Sequence, residues 1–142
     1  MRRNNSQRGQ SFVETGLVLL IFLMLLIGII DFGQVLYFHQ SLVERARAAA
    51  RYGAINPTDT TGIKNVAVYN SATITGTPPA ILYGMTTAMV DVQNPDINTT
   101  SARVVVTISN YPIVFISPYI AQAFHNRPVM VAMSSEGGNQ VP

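Results

Sequence analysis

The chain has 142 residues, only 11% of them charged, and a formal net charge of +2. Disordered and nucleic-acid-binding chains are usually rich in charge, so both classes are disfavoured. Three of the nine basic residues precede residue 10. The charges of the other six are balanced by seven acidic residues, so no basic surface for nucleic acid is expected. The absence of cysteine excludes disulfides, thiolate catalysis and cysteine-based metal sites.

A short basic leader precedes an apolar segment. Residues 1–9 contain three arginines and end at Gly9, and twelve of the fifteen residues in 16–30 are Leu, Ile, Val or Phe. These side chains contribute about −4 to −7 kcal/mol to membrane insertion. Glu14 is the only acidic residue between 11 and 30, and a carboxylate costs about 2.5 to 3.5 kcal/mol at the helix centre and less near an end. Insertion is therefore favoured.

We predict a membrane span over about residues 11–32. Three arginines precede the apolar segment and none follows it directly, which predicts a cytoplasmic N-terminus and a C-terminus outside the membrane. A cleavable secretory signal is disfavoured, because the apolar run ends in Ile30-Asp31-Phe32 rather than in small residues.

The helix is expected to continue beyond the membrane. Val35, Phe38, Leu42 and Ala46 recur at spacings of three and four residues, which is the period of a helix. Gly53 and then Asn56-Pro57 provide a stop signal. One helix over about residues 11–54 would be about 65 Å long, roughly twice the hydrocarbon thickness of a bilayer. Its outer half must therefore pack on an outer domain or on neighbouring helices.

The remaining residues, 55–142, are predicted to form a small extracytoplasmic domain. Loop residues rich in Gly and Pro fill 75–83, and 112–124 is expected to be an irregular or short helical crossover. Together with the long helix this predicts an α+β fold with about three antiparallel strands and a short helix. The predicted elements are a helix at 60–71 and strands at 87–93, 102–110 and 127–135.

No catalytic constellation is present in the sequence. His39 and His125 are the only histidines and lack metal-ligand spacing, and no nucleotide-binding, hydrolase or zinc-protease motif occurs. We therefore expect no catalytic residue, no metal and no cofactor. Asp31 follows the apolar run directly, and two interpretations stay open: it marks the membrane edge, or it contacts another helix together with Gly33.

The N-terminal third resembles a known pattern. Gly9-Gln10-Ser11-Phe12-Val13-Glu14 looks like the processing site of class IV prepilins, with a basic leader, a glycine and a glutamate at the fifth position after it. Residues 8–52 resemble more closely the TadE-type pseudopilins of tight-adherence (Flp) pilus systems, although Thr15 stands where that family usually has an aromatic residue. The matching elements are Val13-Glu14, Gly-Ile-Ile-Asp-Phe-Gly at 28–33, Tyr37-Phe38 and Ala-Arg-Ala-Ala-Ala-Arg-Tyr-Gly at 46–53.

The resemblance implies a minor pilin-like component of the pilus that is not an enzyme. A prepilin peptidase would cut between Gly9 and Gln10, with Arg8 and Glu14 serving peptidase recognition and assembly. Residues 1–9 would then be a leader, and 10–54 the long helix. The implied partners are the peptidase, other pilins or pseudopilins, inner-membrane assembly proteins and the lipid bilayer. The implied location is the bacterial inner membrane, single-pass, or the pilus and cell surface.

A second interpretation remains open from the residues alone. The chain could be an uncleaved single-pass membrane protein whose outer domain binds a partner or ligand, with Glu14 incidental to that role. An enzyme acting outside the membrane is disfavoured, because the sequence offers no catalytic set of residues.

Overall fold

One helix, α1 (Ser6–Ile55), contains 50 of the 142 residues and is about 75 Å long. It belongs to a computed structural model of the chain that describes residues 6–76, 78–94, 102–117 and 127–135. The predicted long helix is confirmed, and it begins five residues earlier than residue 11. It ends at Ile55, two residues before Pro57, because the residue that precedes a proline avoids helical backbone angles.

A second helix, α2 (Thr60–Tyr69), follows a short turn. The Asp59 side chain accepts a hydrogen bond from the Gly62 N–H at 2.8 Å and so caps the start of the helix. Asn70 has a left-handed backbone with φ of 58° and ends α2, as Asn tolerates this conformation better than most residues. The predicted helix at 60–71 is confirmed and stops two residues earlier because of this cap.

Three strands, β1 (Val90–Gln93), β2 (Arg103–Ile108) and β3 (Val129–Ser134), form one antiparallel sheet in the order β1-β2-β3. Their register pairs Val90 with Ile108 and Val106 with Val131. The α+β class and the three strands are confirmed, but the first strand was predicted too long: residues 87–89 form a 3-10 turn in which the Val90 N–H bonds to the Thr87 carbonyl.

The core lies between the outer half of α1, α2 and one face of the sheet. Ala46, Ala49 and Ala50 are fully buried, and their small side chains allow the sheet to approach the helix closely. A Cβ added at Gly53 would lie 2.8 Å from Cγ1 of Val104, so a larger residue does not fit there. The other central residues of this core are Leu42, Ile63, Ala67, Val68, Val90, Val104, Val106 and Ile108.

The inner half of α1 has no such cover. Every residue from 9 to 26 is exposed. The helix is long and apolar enough over Gly9–Ile55 to cross a membrane, and its most apolar 18-residue stretch has a mean hydropathy of 2.7 with no residue buried. Parts of the predicted leader (1–5), crossover (118–124) and polar tail (136–142), and His125, lie outside the described residues.

Candidate functional site

The predicted cleavage site lies near the start of α1. Arg8, Gly9 and Gln10 all fall within the first five residues of the helix, and Gly9 has nothing within 4 Å of the position where a Cβ would stand. The first four amides of a helix have no partner within it, so the backbone through Gly9 is held weakly. The Gly9–Gln10 peptide bond is therefore accessible, while its cleavage stays a prediction.

Glu14 is exposed and lies in the half of α1 that no other element covers. Its side chain makes no hydrogen bond or ion pair with any residue that the structure describes. The neighbouring Thr15 hydroxyl donates to the Ser11 carbonyl at 2.9 Å, a bond within the helix that hides a polar group from an apolar environment. Within the chain, then, Thr15 is satisfied and Glu14 has no described partner.

Asp31 has the opposite environment. It is fully buried, and its carboxylate accepts two backbone hydrogen bonds. Oδ1 accepts from the Ile116 N–H at 2.8 Å, and Oδ2 accepts from the Ser117 N–H at 2.9 Å. Hydrogen bonds to an ionised acceptor are roughly twice as strong as neutral ones. These two hydrogen bonds therefore fix residues 116–117 to α1 at Asp31, where the part of the helix that packs on the domain begins.

The segment after β2, residues 109–117, brings these two amides to Asp31 and is called the descending loop. After β2, Asn110 has a positive φ of 58°, which turns the chain away from the sheet. The Tyr111 ring then packs against Phe38 with centroids 5.6 Å apart, and its hydroxyl donates to the Tyr83 carbonyl at 2.8 Å. Burial, and secondarily the charge of Tyr37, raises the pKa of Tyr111 above its ordinary value. The loop thus runs along α1 from Phe38 down to Asp31.

The helical period explains why Asp31 faces this loop. It precedes Val35 by four residues and Phe38 by seven, so the three side chains lie on one face of the helix. The stripe predicted from the sequence begins at Val35, so the contact of Asp31 with its own chain was not predicted. Extending the period back by one turn would have placed Asp31 on the packed face.

Gly33 does not share the buried environment of Asp31. It is exposed, and nothing lies within 4 Å of the position of its missing Cβ. Both carboxylate oxygens of Asp31 are already engaged within the chain, so Gly33 is the more accessible of the two residues. A contact of either residue with another helix stays a prediction.

The described residues offer little for catalysis. His39 is exposed, and within the described ranges no group of three or more His, Cys, Asp or Glu could hold a metal ion. A shallow apolar cleft lies beside the descending loop, between it and α1. Its lining includes Ile30, Gly33, Tyr37, Val114 and Ile116. This surface suits apolar contact rather than a reaction.

A long apolar helix joined to a small α+β domain is the architecture of proteins that one N-terminal helix anchors in a membrane. Residues 9–51 match the model of the TadE-like protein family, which confirms the resemblance over the N-terminal helix. No curated protein and no solved structure matches the chain significantly. The family match indicates a component associated with the tight-adherence pilus, and proteins of this family are structural components rather than enzymes. Together with the helix it indicates a single-pass membrane protein.

Proposed function

We propose that the chain is a minor pilin-like (pseudopilin) structural component of tight-adherence pilus biogenesis, processed by a prepilin peptidase after Gly9. The observation that carries the proposal is the uncovered half of α1. Every residue from 9 to 26 is exposed, and this surface includes the carboxylate of Glu14, four residues after Gln10. A helix that serves only as an anchor needs apolar residues there and has no use for a carboxylate.

Cleavage would give Glu14 a partner. The new α-amino group at Gln10 is a cation, and a cation in a bundle of apolar helices is unfavourable unless it is paired. Glu14 of an adjacent subunit can bind that amine, and because both groups sit at fixed positions along the helix, the ion pair sets the axial register between subunits. The carboxylate is thereby explained by assembly.

The proposed location follows from the same segment. Three arginines before the apolar stretch favour a cytoplasmic N-terminus, with the sheet domain outside the cytoplasmic membrane. The proposed partners are the prepilin peptidase, other pilins or pseudopilins, and the membrane proteins that assemble the pilus.

The N-terminal mass of the protein from cells that contain the peptidase tests the proposal. We expect a chain that begins at Gln10, and Gly9→Val should abolish processing. Gly28→Val is the matched control, because nothing lies near a Cβ at either glycine and only Gly9 adjoins the bond. A chain that retains Met1 in such cells would contradict the proposal and favour the uncleaved membrane protein.

Assembly is tested separately with Glu14→Ala. This variant should be cleaved normally but incorporated poorly, with reduced pilus output. Glu44→Ala is the matched control, because Glu44 is also an exposed glutamate on α1 but lies in the half that packs on the sheet domain. Normal pili with Glu14→Ala would remove the assembly explanation of this carboxylate.

A further inference from the structure

Most of the large exposed apolar side chains that the structure describes outside α1 lie on two adjoining loops. The structure describes five large ones beyond that helix, and four of them lie on two loops that touch each other. The loops are joined by the hydrogen bond from the Tyr111 hydroxyl to the Tyr83 carbonyl. The four are Ile81, Tyr83, Val114 and Ile116, which are 50%, 94%, 75% and 55% exposed; the fifth, Met130, lies on the sheet.

The second of these loops, which carries Val114 and Ile116, lies at the level where the membrane should end. Residues 11–30 form about 30 Å of helix, which matches the hydrocarbon thickness of a bilayer. Asp31 is the next residue, and it holds the amides of Ile116 and Ser117. The segment 112–117, with the sequence Pro-Ile-Val-Phe-Ile-Ser, contains no charged residue. The loop is therefore apolar and lies beside the outer end of the predicted membrane span.

We propose that residues 112–117 form a membrane-docking loop whose Val114 and Ile116 side chains insert among the lipids at the outer surface of the bilayer. The exposed faces of Ile30 and Phe32 on α1 lie at the same level, so the loop extends the surface that α1 presents to lipid. Tyr37 and Tyr83, both exposed, stand slightly further out, where amphipathic rings favour the interface. The occupant of this surface is lipid.

Asp31 makes this docking feasible. Non-helical backbone near hydrocarbon is tolerated only when its N–H and C=O groups find partners other than water. The Ile116 and Ser117 amides lie at the deepest described point of the loop, and Asp31 accepts both hydrogen bonds. In return, the loop buries the carboxylate, which would otherwise face lipid. The inference requires that α1 spans a bilayer but does not require cleavage after Gly9.

Site-directed spin labelling tests the depth of the loop. The chain has no cysteine, so Ile116→Cys can be labelled alone in the full chain, reconstituted in vesicles of phosphatidylethanolamine and phosphatidylglycerol. Ile55→Cys is the matched control: Ile55 is 67% exposed against 55% for Ile116, and it lies about 36 Å from Asp31 along α1. We expect the ratio of collisions with oxygen to collisions with a water-soluble nickel chelate to be several-fold higher at position 116. Equal ratios would overturn the proposal.

Two further arms complete the test. Adding Asp31→Ala to Ile116→Cys should lower the ratio toward that of position 55, and an unchanged ratio would contradict the role of Asp31. Dipolar broadening at position 116 that disappears on dilution with unlabelled chain would show that a second copy covers the loop, which would also overturn the proposal. Val114→Cys provides the same measurement if Ile116→Cys does not fold.

Discussion

The two halves of α1 share one continuous backbone but differ in what covers them. Every residue from 9 to 26 is exposed, whereas Leu42, Ala46, Ala49 and Ala50 are at most 3% exposed. The inner half exposes large aliphatic side chains, whereas three of these four buried residues of the outer half are alanines. Large aliphatic residues suit lipid or other helices, while small residues permit close packing against a domain. Asp31 lies at the boundary between these two environments.

The TadE-like match covers both halves, since it spans residues 9–51, but it includes none of the sheet. The family's helix is therefore joined here to a domain that the match does not describe. The contacts that hold the domain to the helix therefore join residues inside the match to residues outside it. They can be tested by making the same substitution in each half of α1.

The largest difference in the free energy of unfolding is expected between alanine substitutions at two leucines of α1. Leu42 is 3% exposed in the core and Leu25 is 60% exposed. Leu42→Ala should lower the free energy of unfolding of the outer domain by about 2 to 5 kcal/mol, because it removes buried atoms and leaves a cavity. Leu25→Ala should leave it unchanged. Hydrogen exchange of the β2 amides in detergent micelles measures both, and equal effects would show that the two halves are not energetically distinct.

At the boundary, Asp31→Ala should free the descending loop without unfolding the sheet. A hydrogen bond to a charged group contributes about 1.5 to 3 kcal/mol, so exchange of the Ile116 and Ser117 amides should speed up by roughly tenfold to hundredfold. Asp91→Ala is the control, because Asp91 is an exposed carboxylate on β1. Unchanged exchange at residues 116 and 117 would show that Asp31 does not hold the loop.

A smaller difference in the free energy of unfolding is expected between alanine substitutions at two glycines of α1. A Cβ at Gly53 would lie 2.8 Å from Cγ1 of Val104, whereas nothing lies near a Cβ at Gly33. Val104 has few rotamers and cannot move aside easily, so Gly53→Ala should destabilise the domain by about 1 to 3 kcal/mol. Gly33→Ala should not destabilise it, since alanine favours a helix. Urea unfolding followed by tyrosine fluorescence compares the two, and a tolerated Gly53→Ala would mean that the helix and sheet are less closely packed.

Much of the fold was predictable because it depends on local patterns. The spacing of Val35, Phe38, Leu42 and Ala46 and the stop at Asn56-Pro57 gave the long helix, and runs of β-branched residues gave the strands. The 3-10 turn at 87–89 was missed, because it depends on a single backbone hydrogen bond that leaves no clear sequence signal.

The candidate site was predictable only in part. Gly9 and Glu14 were proposed from their spacing within one segment, and their roles stay predictions. The partners of Asp31 were missed because they are backbone amides 85 and 86 residues away, and a backbone donor has no residue type to recognise. The helical period shows which face Asp31 is on, but only the fold shows that the loop after β2 descends to meet it.

The smallest expected effect lies at the far end of α1 and depends on pH. The Tyr52 hydroxyl donates to the Asp59 carboxylate at 2.9 Å. This hydrogen bond, followed by partial burial and the charge of Asp59, raises the pKa of Tyr52 above its ordinary value of 10.0. Because the pKa is higher in the folded chain than in the unfolded one, the stabilisation is complete below the unfolded value and is lost as the pH rises through the folded value.

Tyr52→Phe should therefore lower the stability of the outer domain slightly at neutral pH, and the difference from the parent chain should disappear at strongly alkaline pH. Urea unfolding across this range measures it. Tyr83→Phe is the control, because the Tyr83 side chain is 94% exposed and should change stability at no pH. If the Tyr52→Phe difference persisted above the folded pKa, the contribution of Tyr52 would come from its ring packing rather than from its bond to Asp59. The outer end of α1 would then be held to α2 by packing alone, whereas its inner boundary is held by the carboxylate of Asp31.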